Sequence, residues 1–146
     1  MASRSKNNNP PTEAQEQKAL IRWWRETAPA LGFDPRTLIH SANEGRRTWG
    51  GANCIRAMGL IAGVPDLFLA SPRAGLGGLW IEMKRSQKPS PVSFTQASML
   101  DLLEGQGYAV AVCYGSKAAI ETIRAYLTGA SIGVRLDKRS DQGELF

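Results

Sequence analysis

Gly63-Val64-Pro65-Asp66-Leu67-Phe68-Leu69-Ala70 and Trp80-Ile81-Glu82-Met83-Lys84 decide the fold, and each reads as a strand. The first enters an apolar run through Gly and Pro, as a chain does when a turn delivers it to a buried strand. In the second, the side-chain period of two puts Trp80, Glu82 and Lys84 on one face and Leu79, Ile81 and Met83 on the other. Between them, the segment Ser71 to Gly78 is too rich in glycine for a helix and reads as a hairpin-like connection. It is no phosphate-binding loop, because no Gly-Lys-Ser/Thr follows and the next element is a strand.

Charge singles out the same two runs. Between Gly45 and Leu100 the acids are Asp66 and Glu82, against Arg46, Arg47, Arg56, Arg73, Lys84, Arg85 and Lys88. Seven bases minus two acids is +5, equal to the formal charge of the whole chain, so the basic character is concentrated here. A polyanion site needs positive surroundings for phosphates and an acidic centre for a divalent metal, and this pattern supplies both. Charge alone also fits a membrane surface or acidic proteins.

The 146 residues suit one domain able to bury a core without disulfides. Cys54 and Cys113 lie far apart and read as free thiols in a reducing cytosol. With His40 as the only histidine, no Cys/His zinc site can be assembled. Met1 to Pro11 has no apolar centre and is no signal peptide, and Asp, Arg, Gly or Pro interrupts every apolar run below membrane-spanning length. These features describe a soluble cytoplasmic protein with a flexible tail over residues 1–12.

In chain order, Thr12 is a candidate N-cap for a helix over Glu13 to about Thr27, with Leu20, Ile21, Trp23 and Trp24 on its apolar side and Pro29 ending it. Glu13 and Glu16 complement the helix dipole in its first turn. Thr37 to Ser41 reads as a short strand, followed by a turn at Asn43-Glu44-Gly45-Arg46-Arg47 whose arginines are solvated or contact phosphate. Ala52 to Met58 is a short helix carrying Arg56, and Trp49 packs under its loop or stacks on a base. After Lys84, Arg85 to Pro91 is an irregular basic loop that includes Lys88. Ser93 and Gln96 stand at capping-box spacing before a helix over about Phe94 to Glu104, with Met99, Leu100, Leu102 and Leu103 apolar. Tyr108 to Tyr114 reads as a strand buried on both faces, and Ser116 to Leu127 as a last helix with Ala119, Ile120, Ile123 and Leu127 inward. The order describes an α/β domain over residues 13–130 with a mixed central sheet flanked by helices.

Phosphodiester hydrolysis needs a nucleophilic water and stabilisation of charge on the phosphate and the leaving oxygen. A divalent cation held by carboxylates supplies much of both. Magnesium takes one or two protein carboxylates, so Asp66 and Glu82 suffice in number, and the Met83 carbonyl offers a third oxygen. Lys84, on the face of Glu82, is placed to orient or deprotonate the water or to neutralise the phosphate. An isolated Glu-x-Lys is more often an ordinary strand-end pair.

Pro-Asp, an apolar strand, a glycine-rich hairpin and a strand bearing Glu-x-Lys together resemble the PD-(D/E)XK nuclease superfamily. More narrowly, the stretch from about Glu13 to Leu127 resembles the virus-type replication-repair nuclease (VRR-NUC) family. The likeness rests on Glu16-Gln17 in the first helix, Asn43-Glu44-Gly45-Arg46, Gly63 to Leu69, Gly78 to Lys84, Gln96 and Gly107-Tyr108. It implies a restriction-endonuclease-like core and Mg²⁺-dependent DNA cleavage, with Mn²⁺ as a substitute, often at branched or flapped DNA in phage or bacterial replication, recombination and repair. It also implies a catalytic, metal-binding glutamate in the first helix, Glu16 ahead of Glu13, and Gln96 facing the site. Met58 to Ala62 is apolar where many relatives are basic, so DNA contacts fall to Arg46, Arg47 and Arg56, with Arg85 and Lys88 in the loop after Lys84. Small relatives imply a homodimer. Within the tail 131–146, Gln142 to Phe146 resembles peptides that bind bacterial sliding clamps, against the alternative of a tail folded on its own domain. The competing class of function is a non-cleaving nucleic-acid-binding accessory module of the same fold, and an RNA-directed nuclease is a weaker alternative.

Overall fold

The computed structural model describes residues 9–42 and 51–129. Arg46, Arg47, Trp49, the Asn43 to Arg46 turn, residues 1–8 and the clamp-like Gln142 to Phe146 lie outside them.

Among the described residues, four α-helices and four strands follow one another: α1 (Glu13–Thr27), β1 (Leu38–His40), α2 (Gly51–Ala57), β2 (Leu67–Leu69), β3 (Leu79–Lys84), α3 (Phe94–Gly105), β4 (Ala109–Tyr114) and α4 (Ser116–Leu127). The sheet order is β1-β2-β3-β4. β1 and β2, and β2 and β3, pair antiparallel, whereas β3 and β4 are parallel. A parallel pair cannot be joined by a tight turn, and here α3 makes the crossover. The β2–β3 connection contains a tight reversal in which Arg73 and Leu76 form a bridge, with Ala74 and Gly75 at φ 49° and 80°. Two positive φ angles in succession suit the twist of antiparallel strands.

Both predicted capping residues act. The Thr12 hydroxyl accepts from the Gln15 N–H, and the Ser93 hydroxyl from the Gln96 N–H, each with the reciprocal side-chain bond.

Strand periodicity sorts the core into two layers. Leu67 and Leu69 of β2, Leu79, Ile81 and Met83 of β3, and Ala109, Ala111 and Cys113 of β4 pack with Leu20 and Trp24 of α1 and Ile123 and Tyr126 of α4. Val110 and Val112 face the other way, with Leu100 of α3, Trp80 and Leu103. β4 is thus covered on both faces, as its continuous apolar run predicts. Two buried aromatics also close polar gaps: Trp24 Nε1 donates to the Pro35 carbonyl at 3.1 Å and Tyr126 Oη to that of Ser71 at 2.7 Å. Leu102 departs from expectation. It is 55% exposed, because α3 touches the sheet along a narrow stripe through Ala97 and Leu100. Both cysteines are free, Cys54 exposed and Cys113 buried.

Since the odd-numbered residues of β2 and β3 point toward α1 and α4, the even-numbered ones share the face of α3. Phe68 and Trp80 stack across β2 and β3 with ring centroids 4.5 Å apart. Asp66, Glu82 and Lys84 continue that face toward the end of β3.

Candidate active site

The β2–β3 register pairs Leu67 with Ile81. Continued past the end of β2, it sets Asp66 opposite Glu82 and Pro65 opposite Met83. Two carboxylates become cross-strand neighbours, an arrangement that like charges ordinarily avoid. The proline has a separate effect. It has no N–H to give the Met83 carbonyl, while its own carbonyl accepts from the Ser41 hydroxyl at 2.6 Å. The Met83 N–H is taken instead by Asp66 Oδ2 at 2.7 Å. In a strand, a residue's N–H and C=O point the same way, so the Met83 carbonyl is directed to the edge that holds Asp66.

Glu82 and Lys84 are 2% and 4% exposed, an unusual depth for ionisable groups and one that requires partners. Gln96 supplies them from the first turn of α3. Its Nε2 donates to Glu82 Oε1 and its Oε1 accepts from Lys84 Nζ at 3.2 Å. Lys84 Nζ also lies 3.5 Å from Glu82 Oε1 and 3.5 Å from Ser90 Oγ. Three acceptors match the three N–H donors of an ammonium group. The capping box and the site are therefore served by one side chain, since Gln96 Oε1 also accepts from the Ser93 N–H at 2.9 Å.

Burial, followed by repulsion from Asp66, pushes the Glu82 carboxyl up to about 8, with Glu13 adding to the rise and Lys84 opposing it. Carboxylates forced together in a dry place are what a divalent cation relieves. Among the described residues no three His, Cys, Asp or Glu side chains cluster as a ready-made metal site. The donor set on hand is Asp66 and Glu82 with the Met83 carbonyl, which fits a hard cation that takes oxygen ligands and keeps water.

The first-helix acids divide. Glu16 is buried, with Oε1 accepting from the Ser86 hydroxyl at 2.8 Å and Oε2 from the Ser116 N–H at 2.8 Å. Ser116 is the first residue of α4, whose N-cap, Gly115, has no side chain to offer, so Glu16 serves as the cap from another helix. Burial alone would raise its carboxyl, but the hydrogen bonds from Ser116 and Ser86 outweigh it and hold Glu16 below the usual value. Glu13, one turn earlier, is the first-helix acid whose charge reaches Glu82.

A stability test follows from the cap. Because folding lowers the Glu16 pKa, its contribution is complete above the ordinary carboxylate value and disappears as pH falls through the folded one. Glu16→Gln is expected to cost about 1–3 kcal/mol at neutral pH. The gap from wild type in urea melts should shrink below pH ~4, and a gap independent of pH would overturn the assignment.

Sequence reasoning gives His40 and Gln17 no role at the site, His40 entering as the single histidine and Gln17 as the neighbour of Glu16 in the family likeness. His40 Nδ1 lies 2.9 Å from the Asp66 carbonyl, which it can meet only as a donor, so it ties β1 to the backbone of Asp66, and Gln17 Nε2 of α1 stands 3.1 Å from the same nitrogen. Only their position beside an expected strand and an expected acid could have drawn attention to them. Of the basic candidates, Arg56 and Lys88 are exposed. Arg85 instead turns to the chain before α1, donating to the Pro11 and Pro10 carbonyls at 3.0 and 3.3 Å.

The VRR-NUC domain family matches residues 11–117, a span that contains every one of these site residues. The chain belongs to the VRR-NUC family. A solved structure described as a VRR_NUC domain protein superposes with a TM-score of 0.70 at 25% identity, covering 83% of this chain and 92% of that one. No curated protein matches. Membership makes this a nuclease-family domain, with DNA the partner such a domain binds. Within the VRR-NUC match, Asp66, Glu82, Lys84 and Gln96 form one connected group, and no helix among the described residues is long and apolar enough to cross a membrane.

Proposed function

We propose that the protein is a divalent-metal-dependent endonuclease that hydrolyses DNA phosphodiester bonds, with branched or flapped DNA as the preferred substrate class. The observation that carries this reading is the burial of Glu82 beside Asp66 with Lys84 and Gln96 fixed against it. A core salt bridge would need no second carboxylate.

Asp66, Glu82 and the Met83 carbonyl would hold Mg²⁺ or Mn²⁺, with Glu13 contributing negative charge from α1. When bound, the cation supplies neutralisation at the scissile phosphate and a more acidic water. Lys84 places positive charge beside the reacting phosphate, and its three acceptors keep Nζ from swinging away. Gln96 holds Glu82 and Lys84 in register with one another. His40 and Ser41 fix the Asp66 backbone through its carbonyl, so that the carboxylate approaches Met83 from a rigid base.

The test is cleavage of flap, splayed-arm, four-way and linear duplex DNA with Mg²⁺, Mn²⁺ or EDTA. Cutting is expected with either metal, fastest on the branched substrates, and none in EDTA. Cutting that survives EDTA would overturn the mechanism, and binding without cutting under all conditions would identify a non-cleaving accessory module.

A further inference from the structure

The outward face of α1 carries Lys18, Arg22 and Arg25, all exposed. At 3.6 residues per turn these three fall within an arc of about 60° and span about 10 Å along the helix. Among the described residues, ion pairs form at Arg36–Asp34 and Lys84–Glu82, and neither includes Lys18, Arg22 or Arg25. They line one groove of about 860 Å³ together with Glu13, Gln17 and His40. Its wall includes Glu13 and His40, and His40 contacts the Asp66 carbonyl beside the catalytic group. Its one further acid, Glu26, lies at the far end.

From this juxtaposition we infer that α1 is a track for the DNA backbone: the strand leaving the catalytic carboxylates runs along Lys18, Arg22 and Arg25. Successive phosphates of one strand advance about 3.4 Å along the duplex axis, so the ridge faces about three of them. Three cations against the one neighbouring acid Glu26 leave this side of the groove net positive, and the self-repulsion that this costs is relieved by a polyanion. The contact of His40 with the Asp66 carbonyl marks the end beside the catalytic group and gives the bound strand a direction, with the reacting phosphate at the Glu13 end. The inference rests on the nuclease reading for what happens at that end, but not for the binding itself.

The experiment uses the full chain. Lys18→Gln/Arg22→Gln/Arg25→Gln removes the charge while keeping most of each stem, and Lys117→Gln/Arg124→Gln removes charge from α4, outside the groove. Binding to duplex DNA is measured in EDTA across a salt series, and cleavage with Mg²⁺ across a DNA series. The triple variant is expected to bind about tenfold or more weakly at 0.1 M salt and to lose about 2 to 3 from the log–log salt slope. Its half-saturating DNA concentration should rise, with the rate at saturation within about threefold of wild type. The α4 variant should keep the wild-type slope. Equal slopes for wild type and the triple variant, or the same loss in the α4 variant, would overturn the track. If wild type binds but never cuts while the triple variant still loses the slope, the nuclease reading fails and the track stands.

Discussion

Lys84→Met is expected to lower DNA cleavage by about a thousandfold or more and to leave DNA binding within a few fold. The lysine is 4% exposed and faces Glu82, Gln96 and Ser90, so in the proposed mechanism it meets the reacting phosphate as a fixed charge rather than as part of a broad binding surface. Methionine keeps the volume of the stem. What it removes is the one charge that opposes the rise in the Glu82 proton affinity, already pushed up to about 8 by burial and by Asp66. An uncompensated buried carboxylate would cost about 3–5 kcal/mol. Glu82 avoids most of that by taking up a proton, and the variant should stay folded as a consequence. A folded Lys84→Met protein that cuts at the wild-type rate would remove Lys84 from the mechanism.

Gly63→Ala is expected to abolish activity by a different route, through the backbone that carries both halves of the site. Gly63 has φ +81°, and a Cβ there would lie 2.6 Å from the Thr95 carbonyl oxygen and 2.8 Å from its carbon. The left-handed backbone costs a non-glycine residue about 1–2 kcal/mol, and an intruding methyl against main chain about 1–3 more. That sum is a large fraction of the stability of a small domain. Three residues after Gly63 comes Asp66, and one after Thr95 comes Gln96, so any relief of the clash moves one side of the site from the other. Thermal melts and cleavage rates should both fall. An alanine variant with wild-type melting and rate would show that this contact is not needed.

Much of this was legible in the sequence because it depends on local pattern. Period-two alternation put Trp80, Glu82 and Lys84 on one face, and capping spacing placed Gln96 in the first turn of its helix. Both follow from chain geometry over a few residues. Glu16 shows where that information ends. Its position in the first turn of α1 fits a dipole partner, a catalytic acid or a cap equally well, and the choice depends on Ser86 and Ser116, which lie 70 and 100 residues away. His40 escaped for the same reason, since its contact with the Asp66 carbonyl is made across a strand pairing rather than along the chain. The role of Pro65 needed the β2–β3 register before its missing N–H could be set against the Met83 carbonyl.

The cap that Glu16 provides also bears on the order of synthesis. Asp66, Glu82 and Lys84 have all left the ribosome well before Ser116, yet until Ser116 arrives the Glu16 carboxylate lacks one of its two partners and α4 is absent from its face of the sheet. A chain still short of α4 therefore holds every charged group of the site without the packing that fixes α1 beside it. The packing that fixes α1 beside the site is therefore a property of the domain folded through α4, not of the stretch that carries the charged groups.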